Sequence, residues 1–434
     1  MAGKRGNMSF GPEKITAKKE KAFLVTVDED GKGFWKADDR QEELENLAEA
    51  AGLKILGSII ARRKQVTPTF FIGKGKVHEI AEDVREAGAN VVLFNNELSP
   101  SQQRNLEEAM GVKTIDRTQL ILDIFARRAR SNEGKLQVEL AQLEYLLPRL
   151  SGLWVHFSRL GGGVGTRGPG ETQLEVDRRK VRERISVLKR KLKDVSKKRK
   201  LRSMQREKFS MIRAALVGYT NSGKSTLFNA LAGSSVKAKD QLFSTLDPTV
   251  RKLILPNNQV VLISDTVGFL NELPHDLIES FKATLEEVMD ADVLFHVIDM
   301  STDMLEEHER SVMSVLEEIG AGDKPVITVL NKMDKVGPER RERIKKDMSG
   351  TLVISALKKE GLEQLEDALV GLIQAEMEDI ELLLPHKYQD IVRYVRSKGI
   401  VRKEEYRDEG VFISARLPRS ARDAVFKRLK SGRA

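Results

Sequence analysis

The sequence has no cysteine and no long apolar run, and both absences narrow the class of protein. Without cysteine, disulfide scaffolds and thiolate metal sites are excluded, and the composition fits a reducing cytoplasm. No stretch approaches the roughly 18 continuous apolar residues that a membrane-spanning helix needs. Residues 1–20 are basic but lack the apolar core of a secretory signal, so we expect a mobile N-terminal tail. We therefore predict a cytoplasmic protein without a transmembrane segment.

Basic residues are concentrated in one segment of the chain. The formal net charge is +9 over 434 residues, yet residues 178–208 hold sixteen Lys and Arg against three Asp and Glu, a local balance of +13. The rest of the chain is therefore near −4 (9 − 13). A solvated helix surface normally mixes both signs, so the segment favours contact with a polyanion, RNA first; a solvated coiled-coil surface is the alternative. The candidate RNA contacts are Lys197, Lys198, Arg199 and Lys200.

The first part of the chain, residues 21–116, predicts an α/β subdomain because strand-like and helical runs alternate there. The strand-like runs are 22–27, 53–59, 69–72 and 90–95, and the helical runs are 41–52, 77–88 and 100–111. The sequence GKGK at 73–76 falls at a strand-to-helix turn. It could meet a phosphate, but a tight turn with a solvated lysine is the commoner structure.

Residues 117–208 predict an antiparallel helical hairpin, because a heptad-like pattern occurs twice with a glycine-rich stretch between. The pattern is purely helical from 117 to 147 and resumes after the glycines. The apolar residues, spaced by 4 and 3 in turn, are Leu136, Leu140, Leu143 and Leu147, then Val181, Ile185, Leu188, Leu192 and Val195.

Two further domains are predicted after the hairpin. Residues 209–378 alternate strands and helices, as expected of one doubly wound domain. Residues 379–434 suggest a small α+β domain, with a helix at 386–399, a hairpin at 400–416 and a helix at 420–430.

The sequence GYTNSGKS, from Gly218 to Ser225, is a full G-x-x-x-x-G-K-[ST] motif. It follows a strand-like run and opens a helix, which is the context that supports a phosphate-binding loop. The glycines allow backbone N–H groups to curl around phosphates at a helix N-terminus. Lys224 supplies positive charge to the β- and γ-phosphates, and Ser225 offers its hydroxyl to Mg²⁺.

Three more motifs follow in order, each at the end of a strand-like run, and together they predict a GTP site. In DTVG, Asp265 would hold Mg²⁺ through water and the Gly268 N–H would face the γ-phosphate. In NKMD, Asp334 can accept from both guanine N1–H and N2–H₂, which adenine cannot match. SAL, at 355–357, would reach guanine O6 through backbone N–H groups.

The segment QLFSTLDPTVRK, residues 241–252, is predicted to be the switch ordered by Mg²⁺ and the γ-phosphate. We prefer Thr245 over Thr249 as the metal ligand because Thr249 follows Pro248 in a stiff turn. Mg²⁺ is thus expected on Ser225 and Thr245, with Asp265 acting through water. The predicted catalytic residues are Lys224, Thr245 and Gly268. The predicted GTP-binding residues are Gly218, Tyr219, Thr220, Asn221, Ser222, Gly223, Lys224, Ser225, Phe243, Ser244, Thr245, Leu246, Asp247, Asp265, Thr266, Val267, Gly268, Asn331, Lys332, Met333, Asp334, Ser355, Ala356 and Leu357.

The residue directly after DTVG is Phe269, where small GTPases place a water-orienting glutamine. A phenyl ring cannot orient water by hydrogen bonds, so intrinsic GTP hydrolysis should be slow and a partner should accelerate it. Gln241 is a possible substitute for the missing glutamine.

With these motifs established, the chain resembles the HflX family of GTPases, in the translation-factor-related class that also holds Obg and Era. The resemblance rests on GTRGPGETQLE, RRARSNEGKLQVELAQLEYLLPRL, FSTLDPT and DTVGFL, and it covers residues 20 to 380 approximately. It implies an α/β fold in which an α/β subdomain and an antiparallel helical hairpin precede a P-loop GTPase domain, with a small C-terminal α+β domain. It is also in keeping with Phe269, because the family lacks the usual glutamine.

The resemblance implies a Mg²⁺-dependent GTPase that binds the large ribosomal subunit and its rRNA, is stimulated by ribosomes, and splits or rescues stalled or idle ribosomes under stress. We expect a monomer. The alternatives are a GTP-regulated RNA-processing, tRNA-modifying or ribosome-assembly factor, a membrane-coupled G protein, and an N-terminal domain that uses ATP. No second Walker motif supports the ATP alternative.

The glycine-rich stretch GGGVGTRGPG, residues 161–170, contains a formal G-x-G-x-x-G match. It lies between two coiled-coil-like helices rather than in a βαβ unit, so it does not predict a dinucleotide site. We expect it to form the mobile tip of the hairpin, with Arg167 as a candidate RNA contact; a plain flexible connection is the alternative. By the resemblance, this tip would reach the peptidyl-transferase region.

Overall fold

A computed structural model describes most of the chain, in two compact units. The described residues are 20–29, 35–150, 173–207, 212–233, 243, 248–271, 282–375 and 377–430. The described part of the first unit ends at Asp123, and the second unit begins at Ile124.

The first unit contains a four-stranded parallel sheet in the order β2-β1-β3-β4. Its strands are β1 (Lys21–Glu29), β2 (Lys54–Arg63), β3 (Val91–Phe94) and β4 (Lys113–Asp116), and its helices are α1 (Ala37–Ala50), α2 (Lys74–Ala87) and α3 (Pro100–Met110). Six consecutive residues of β1 are buried, as expected for a parallel strand covered on both faces. Ser99 and Gln102 form a capping box that begins α3.

Two details of this unit differ from the predictions. Residues 69–72, predicted as a strand, form a turn instead: Phe71 has φ of 64° and exchanges two backbone hydrogen bonds with Thr67. The fourth strand is β4, which was not predicted because only four residues separate the turn after α3 from the next helix. At GKGK, Gly73 precedes α2 and Lys76 pairs with Glu79 at 2.5 Å, so this turn is an ordinary helix start.

Three helices follow: α4 (Arg117–Arg128), α5 (Asn132–Leu146) and α6 (Gln173–Glu207). The helix predicted to run unbroken from 117 to 147 is interrupted before α5, because the Ser131 hydroxyl accepts the Gly134 N–H at 2.8 Å and caps a new helix.

Helices α5 and α6 pack along the predicted apolar positions. Leu140 of α5 and Leu188 of α6 are buried in the shared cluster. The pair also carries flanking ion pairs from Glu139 to Arg184 and from Glu144 to Lys189, at 2.7 and 2.8 Å. The glycine-rich stretch and Arg167 lie outside the described residues.

The nucleotide-binding motifs belong to a six-stranded sheet in the order β10-β9-β8-β5-β7-β6, parallel except for the edge strand β6. The strands are β5 (Ile212–Val217), β6 (Thr249–Ile254), β7 (Val260–Asp265), β8 (Val293–Asp299), β9 (Val326–Asn331) and β10 (Leu352–Val353). The helices are α7 (Lys224–Leu231), α8 (Lys282–Met289), α9 (Leu305–Glu318), α10 (Pro338–Asp347) and α11 (Leu362–Ala375). Strands β5, β7, β8 and β9 run in one direction, so their C-terminal ends meet at one edge.

The last part of the chain forms an antiparallel sheet in the order β11-β13-β12. Its strands are β11 (Met377–Leu384), β12 (Ile400–Arg407) and β13 (Gly410–Pro418), and its helices are α12 (Gln389–Lys398) and α13 (Arg419–Lys430). The predicted helix, hairpin and helix are all present. Strand β11 was not anticipated.

The fold class predicted from the sequence is confirmed. Among the described residues, no helix is both long enough and apolar enough to cross a membrane. The four domain boundaries remain predictions.

Candidate functional site

The loop after β5 has the backbone geometry of a phosphate cradle. Gly218 and Gly223 have φ of 153° and 94°, where a side chain is strained. A Cβ on Gly218 would strike the Val297 carbonyl, and one on Gly223 would strike the Asn331 amide. Asn221 is left-handed as well, with φ of 61°. Both glycines are therefore needed for the loop to curl against β8 and β9.

Lys224 is the first residue of α7, and its ammonium is held inside the loop. Its Nζ donates to the carbonyls of Gly218 and Tyr219 at 3.0 and 2.8 Å. Burial lowers the pKa of Lys224 to about 8, and the charge of Asp265 partly opposes that shift. A phosphate beside this ammonium would favour its charged form.

Two hydroxyls of the loop are available to donate hydrogen bonds to a bound anion. The side-chain oxygens of Thr220 and Ser222 are buried, and within the described part of the chain they have no hydrogen-bond partner. Buried donors normally have an acceptor, so such groups in a glycine-rich loop at a helix N-terminus fit a phosphate.

The residues predicted to hold Mg²⁺ include two that are in direct contact. The Ser225 hydroxyl donates to Asp265 Oδ2 at 2.7 Å. A hydroxyl and a carboxylate are the hard oxygen ligands that Mg²⁺ takes, so the donor set fits this ion. Thr249 is exposed and lies opposite Asp265 in the β6–β7 ladder. Thr245 lies outside the described residues, as do Ser244, Leu246 and Asp247, so the choice of threonine stays a prediction.

The DTVG segment begins at Asp265, the last residue of β7, and Phe269 directly after it is hydrogen-bonded to the loop that follows β5. Thr266 is buried and its hydroxyl donates to the Leu216 carbonyl at 2.5 Å, and Val267 is buried beside it. Phe269 is 2% exposed, so its ring packs in the interior. Gln241 lies outside the described residues.

The NKMD segment ends β9, and its asparagine joins two of the other motifs. The Asn331 amide donates to the Ser222 carbonyl at 2.9 Å, and its oxygen accepts the Ala356 N–H at 3.0 Å. This one side chain therefore ties the phosphate loop, NKMD and SAL together.

Lys332 is positioned by Asp299, which lies outside the four motifs and was not predicted from the sequence. Its Nζ pairs with Asp299 Oδ2 at 2.6 Å, and Asp299 Oδ1 accepts from both the backbone N–H and the hydroxyl of Ser301. Asp299 ends β8, the neighbour of β9 in the sheet. A carboxylate at the end of the apolar run VLFHVI was the available signal.

Asp334 and Ser355 lie side by side, as a guanine pocket requires. The Ser355 hydroxyl donates to Asp334 Oδ1 at 2.6 Å, and this hydrogen bond holds the pKa of Asp334 below its ordinary value. The Met333 N–H donates to the Ile354 carbonyl, which fixes NKMD to SAL. The side chain of Leu357 is 73% exposed.

The remaining predicted residues are Phe243, predicted to bind GTP, and the four basic residues 197–200, predicted to contact RNA. The ring of Phe243 is buried and meets Phe125 of α4 edge-on, with centroids 4.6 Å apart. Lys197 is exposed on α6. Lys198, Arg199 and Lys200 lie in the same helix, but their side chains are outside the description.

Comparison with protein families matches three consecutive stretches of the chain. A profile described as GTP-binding GTPase N-terminal matches residues 38–126, and one described as GTP-binding GTPase Middle Region matches 128–206. A third, described as 50S ribosome-binding GTPase, matches residues 213–332.

Curated relatives are similar over nearly the whole chain. A GTPase HflX from Caldanaerobacter subterraneus is 44% identical over 405 residues, covering 93% of this chain and 92% of its own. The GTPase HflX of Escherichia coli is 44% identical over 380 residues, covering 87% and 89%. A GTP-binding protein from Sulfolobus solfataricus, solved with GDP, is 27% identical and covers 81% of this chain and 98% of its own, with a TM-score of 0.41.

Proposed function

The chain belongs to the HflX family of GTPases, and from that premise we propose that it couples GTP hydrolysis to binding of the large ribosomal subunit. The reaction converts GTP and water to GDP and phosphate. The observation that carries the ribosomal part is the match of the nucleotide-binding domain to a family described as 50S ribosome-binding GTPase.

We infer that the phosphates lie in the loop from Gly218 to Ser225. Backbone N–H groups and the Lys224 ammonium would neutralise them, as positioning and charge stabilisation are most of what phosphoryl transfer needs. Ser225 and Asp265 would hold Mg²⁺, which supplies further neutralisation of phosphate charge when bound. Thr245 is proposed as the switch ligand and Gly268 as the backbone contact to the γ-phosphate.

Guanine would lie between the NKMD and SAL segments. Asp334 would accept two hydrogen bonds from the base. The aliphatic stem of Lys332, whose ammonium is held by Asp299, would cover the face of the base. Backbone N–H groups of 355–357 would reach guanine O6. A base lacking matching donors would leave the carboxylate unpaired, which is the basis of strong discrimination.

Slow basal hydrolysis follows from the interior position of Phe269. Its ring has no hydrogen-bonding group, and it is buried. The chain therefore depends on another group to orient water, and a ribosomal partner that orders the switch would provide the acceleration.

The ion pairs of α6 support an RNA-binding face. Arg184 and Lys189 are paired with glutamates of α5. By contrast, Lys191, Lys193 and Lys197 are exposed and make no ion pair within the described part of the chain. Lys193 and Lys197 are four residues apart and therefore lie on one face of α6. Unpaired cations on one face suit a phosphate backbone better than a merely solvated surface.

We propose that the physiological task is to split or rescue stalled or idle ribosomes under stress. The supporting observation is the family membership, which the two HflX relatives establish over most of the chain. A ribosome-assembly or RNA-processing role uses the same site and the same basic helix, and it is the second candidate.

The test is GTP turnover by the intact chain with increasing purified large subunits, small subunits serving as control. We expect a rise of about tenfold or more with large subunits only, because a partner-ordered switch can contribute at least that much. No rise with large subunits would refute the proposal, and stimulation only by immature particles would favour the assembly role.

A second measurement tests the RNA-binding face. Replacing Lys197, Lys198, Arg199 and Lys200 with glutamine should lower the salt dependence of large-subunit binding by about 0.7–0.9 in log–log slope for each phosphate that is no longer neutralised. An unchanged slope would show that this cluster is only solvated surface.

The matched control for that measurement replaces Arg184 and Lys189 with glutamine. Both are already neutralised by α5 glutamates, at 2.7 and 2.8 Å. Their replacement should leave the salt slope as it is.

A further inference from the structure

Tyr219 is the second residue of the phosphate loop, and its side chain is buried between other elements. The ring stacks on His308 of α9, with centroids 3.9 Å apart and planes 7° from parallel. Burial lowers the pKa of His308 to about 4, so the stacking partner is a neutral imidazole at physiological pH. The Tyr219 hydroxyl accepts the backbone N–H of Asn271 at 2.9 Å.

Two backbone hydrogen bonds accompany that hydrogen bond between the phosphate loop and the described residues just after DTVG. The Thr220 N–H donates to the Phe269 carbonyl at 2.8 Å, and the Phe269 N–H donates to the Gly218 carbonyl at 3.1 Å. The segment just after DTVG is therefore paired with the loop like two short parallel strands. Among the three bonds, the one to Tyr219 is the only one made by a side chain.

The pairing places Gly268 against the lysine. A Cβ on Gly268 would lie 2.9 Å from Thr220 Cα and 3.1 Å from Lys224 Nζ. The residue whose N–H is proposed to face the γ-phosphate thus lies beside the ammonium that would bind the same phosphate. Because Phe269 supplies no hydrogen-bonding side chain, the position of this backbone is the main contribution that the segment can make to hydrolysis.

We propose that Tyr219 is a positioning residue for GTP hydrolysis: clamped by His308, it holds Asn271 and keeps Gly268 in place beside Lys224. The proposal rests on the assignment of Gly268 to the γ-phosphate made above, but it does not depend on ribosome binding. GDP has no γ-phosphate, so the role predicts an effect on turnover of GTP and none on affinity for GDP.

The test compares Tyr219→Phe with the unaltered chain, without ribosomes. This change keeps the ring and removes the hydroxyl that accepts the Asn271 N–H. We expect kcat to fall about tenfold, the effect of one hydrogen bond of ordinary strength. The Kd for GDP should stay within about twofold, since a tenfold change would require the full energy of that bond.

Two further variants separate positioning from packing. His308→Leu removes the stacking partner but keeps the hydroxyl, and it should lower kcat by roughly threefold, a fraction of the hydrogen-bond effect. Tyr388→Phe alters a buried tyrosine of the C-terminal sheet domain and should leave kcat unchanged. The thermal unfolding transition of each variant shows whether that variant is folded.

The outcomes are distinct. An unchanged kcat in Tyr219→Phe overturns the proposal, and so does a GDP affinity that falls in parallel with kcat, since that is the behaviour of a structural residue. If Tyr219→Phe does not fold, the kcat of His308→Leu decides in the same way. Failure of ribosomal stimulation in the unaltered chain concerns the proposed function alone.

Discussion

The two ends of the candidate GTP site differ in the groups that form them: main-chain groups at the phosphate end and side chains at the base end. At the phosphate end, the loop from Gly218 to Ser225 offers main-chain N–H groups, and its one cation is held by backbone carbonyls. At the base end, side chains from the ends of different strands are braced by other side chains, as in the pairs of Lys332 with Asp299 and Asp334 with Ser355.

The difference teaches how one site separates affinity from selectivity. On the proposed assignment, the backbone N–H groups of the loop would bind any phosphate chain and contribute affinity that GTP and other nucleotides share. The braced carboxylate would accept only a base with two adjacent donors, so the other end would contribute the choice of guanine. Variants at the two ends should therefore fail in different ways.

The largest effect is expected at the phosphate end. Lys224→Ala should abolish GTP binding, with a loss of at least about 100-fold, because a buried charge-assisted contact to phosphate contributes roughly 3 kcal/mol. Calorimetry with GTP and GDP measures it. Near-normal binding of either nucleotide would show that the backbone alone carries the phosphate affinity.

A loss with a change of selectivity is expected at the base end. Asp334→Asn should weaken GTP binding by roughly 100-fold while improving xanthosine triphosphate, because the amide presents a donor where guanine also has one and xanthine has a carbonyl. A competition assay with both nucleotides measures this exchange. If guanine preference persists, the pocket is not where we place it.

A smaller effect is expected from the bracing residue. Asp299→Asn removes the charge that holds Lys332, and GTP and GDP affinity should fall together by about tenfold, since both contain the same base. Fluorescent GDP and GTP analogues give both constants. Weaker binding of one nucleotide without the other would place Asp299 in the phosphate-sensing part of the site.

The smallest effect concerns pH. The Ser355 hydrogen bond holds the pKa of Asp334 low, so the carboxylate that guanine needs persists above that lowered pKa and is protonated only as the pH falls through it. Ser355→Ala should raise the pKa of Asp334 and move the acidic loss of GTP binding to higher pH. A binding profile identical to that of the unaltered chain would contradict the role of Ser355.

Much of this was predictable because the motifs are local. Strands β5, β7 and β9 were each expected from an apolar run, and each ends at its motif. The failures were also local in origin. Residues 69–72 are apolar enough for a strand, but Phe71 adopts a left-handed turn, and the four residues of β4 are too few to produce a pattern.

Contacts across the sheet were not predictable in this way. Asp299, Ser301 and His308 lie outside the four motifs. The position of β8 between β5 and β9 brings the segment after β8 against both halves of the site.

The sequence by itself determined that this protein is a GTPase, because four short motifs at fixed spacings predict the phosphate loop, the metal ligands and the guanine contacts. The tertiary structure alone decided how those groups are held. Asn331 ties three motifs together, Asp299 holds Lys332, and Tyr219 joins the loop to the segment after DTVG and to α9. The physical reason is range: a motif is a local pattern along the chain, whereas bracing depends on which strands a parallel sheet makes neighbours.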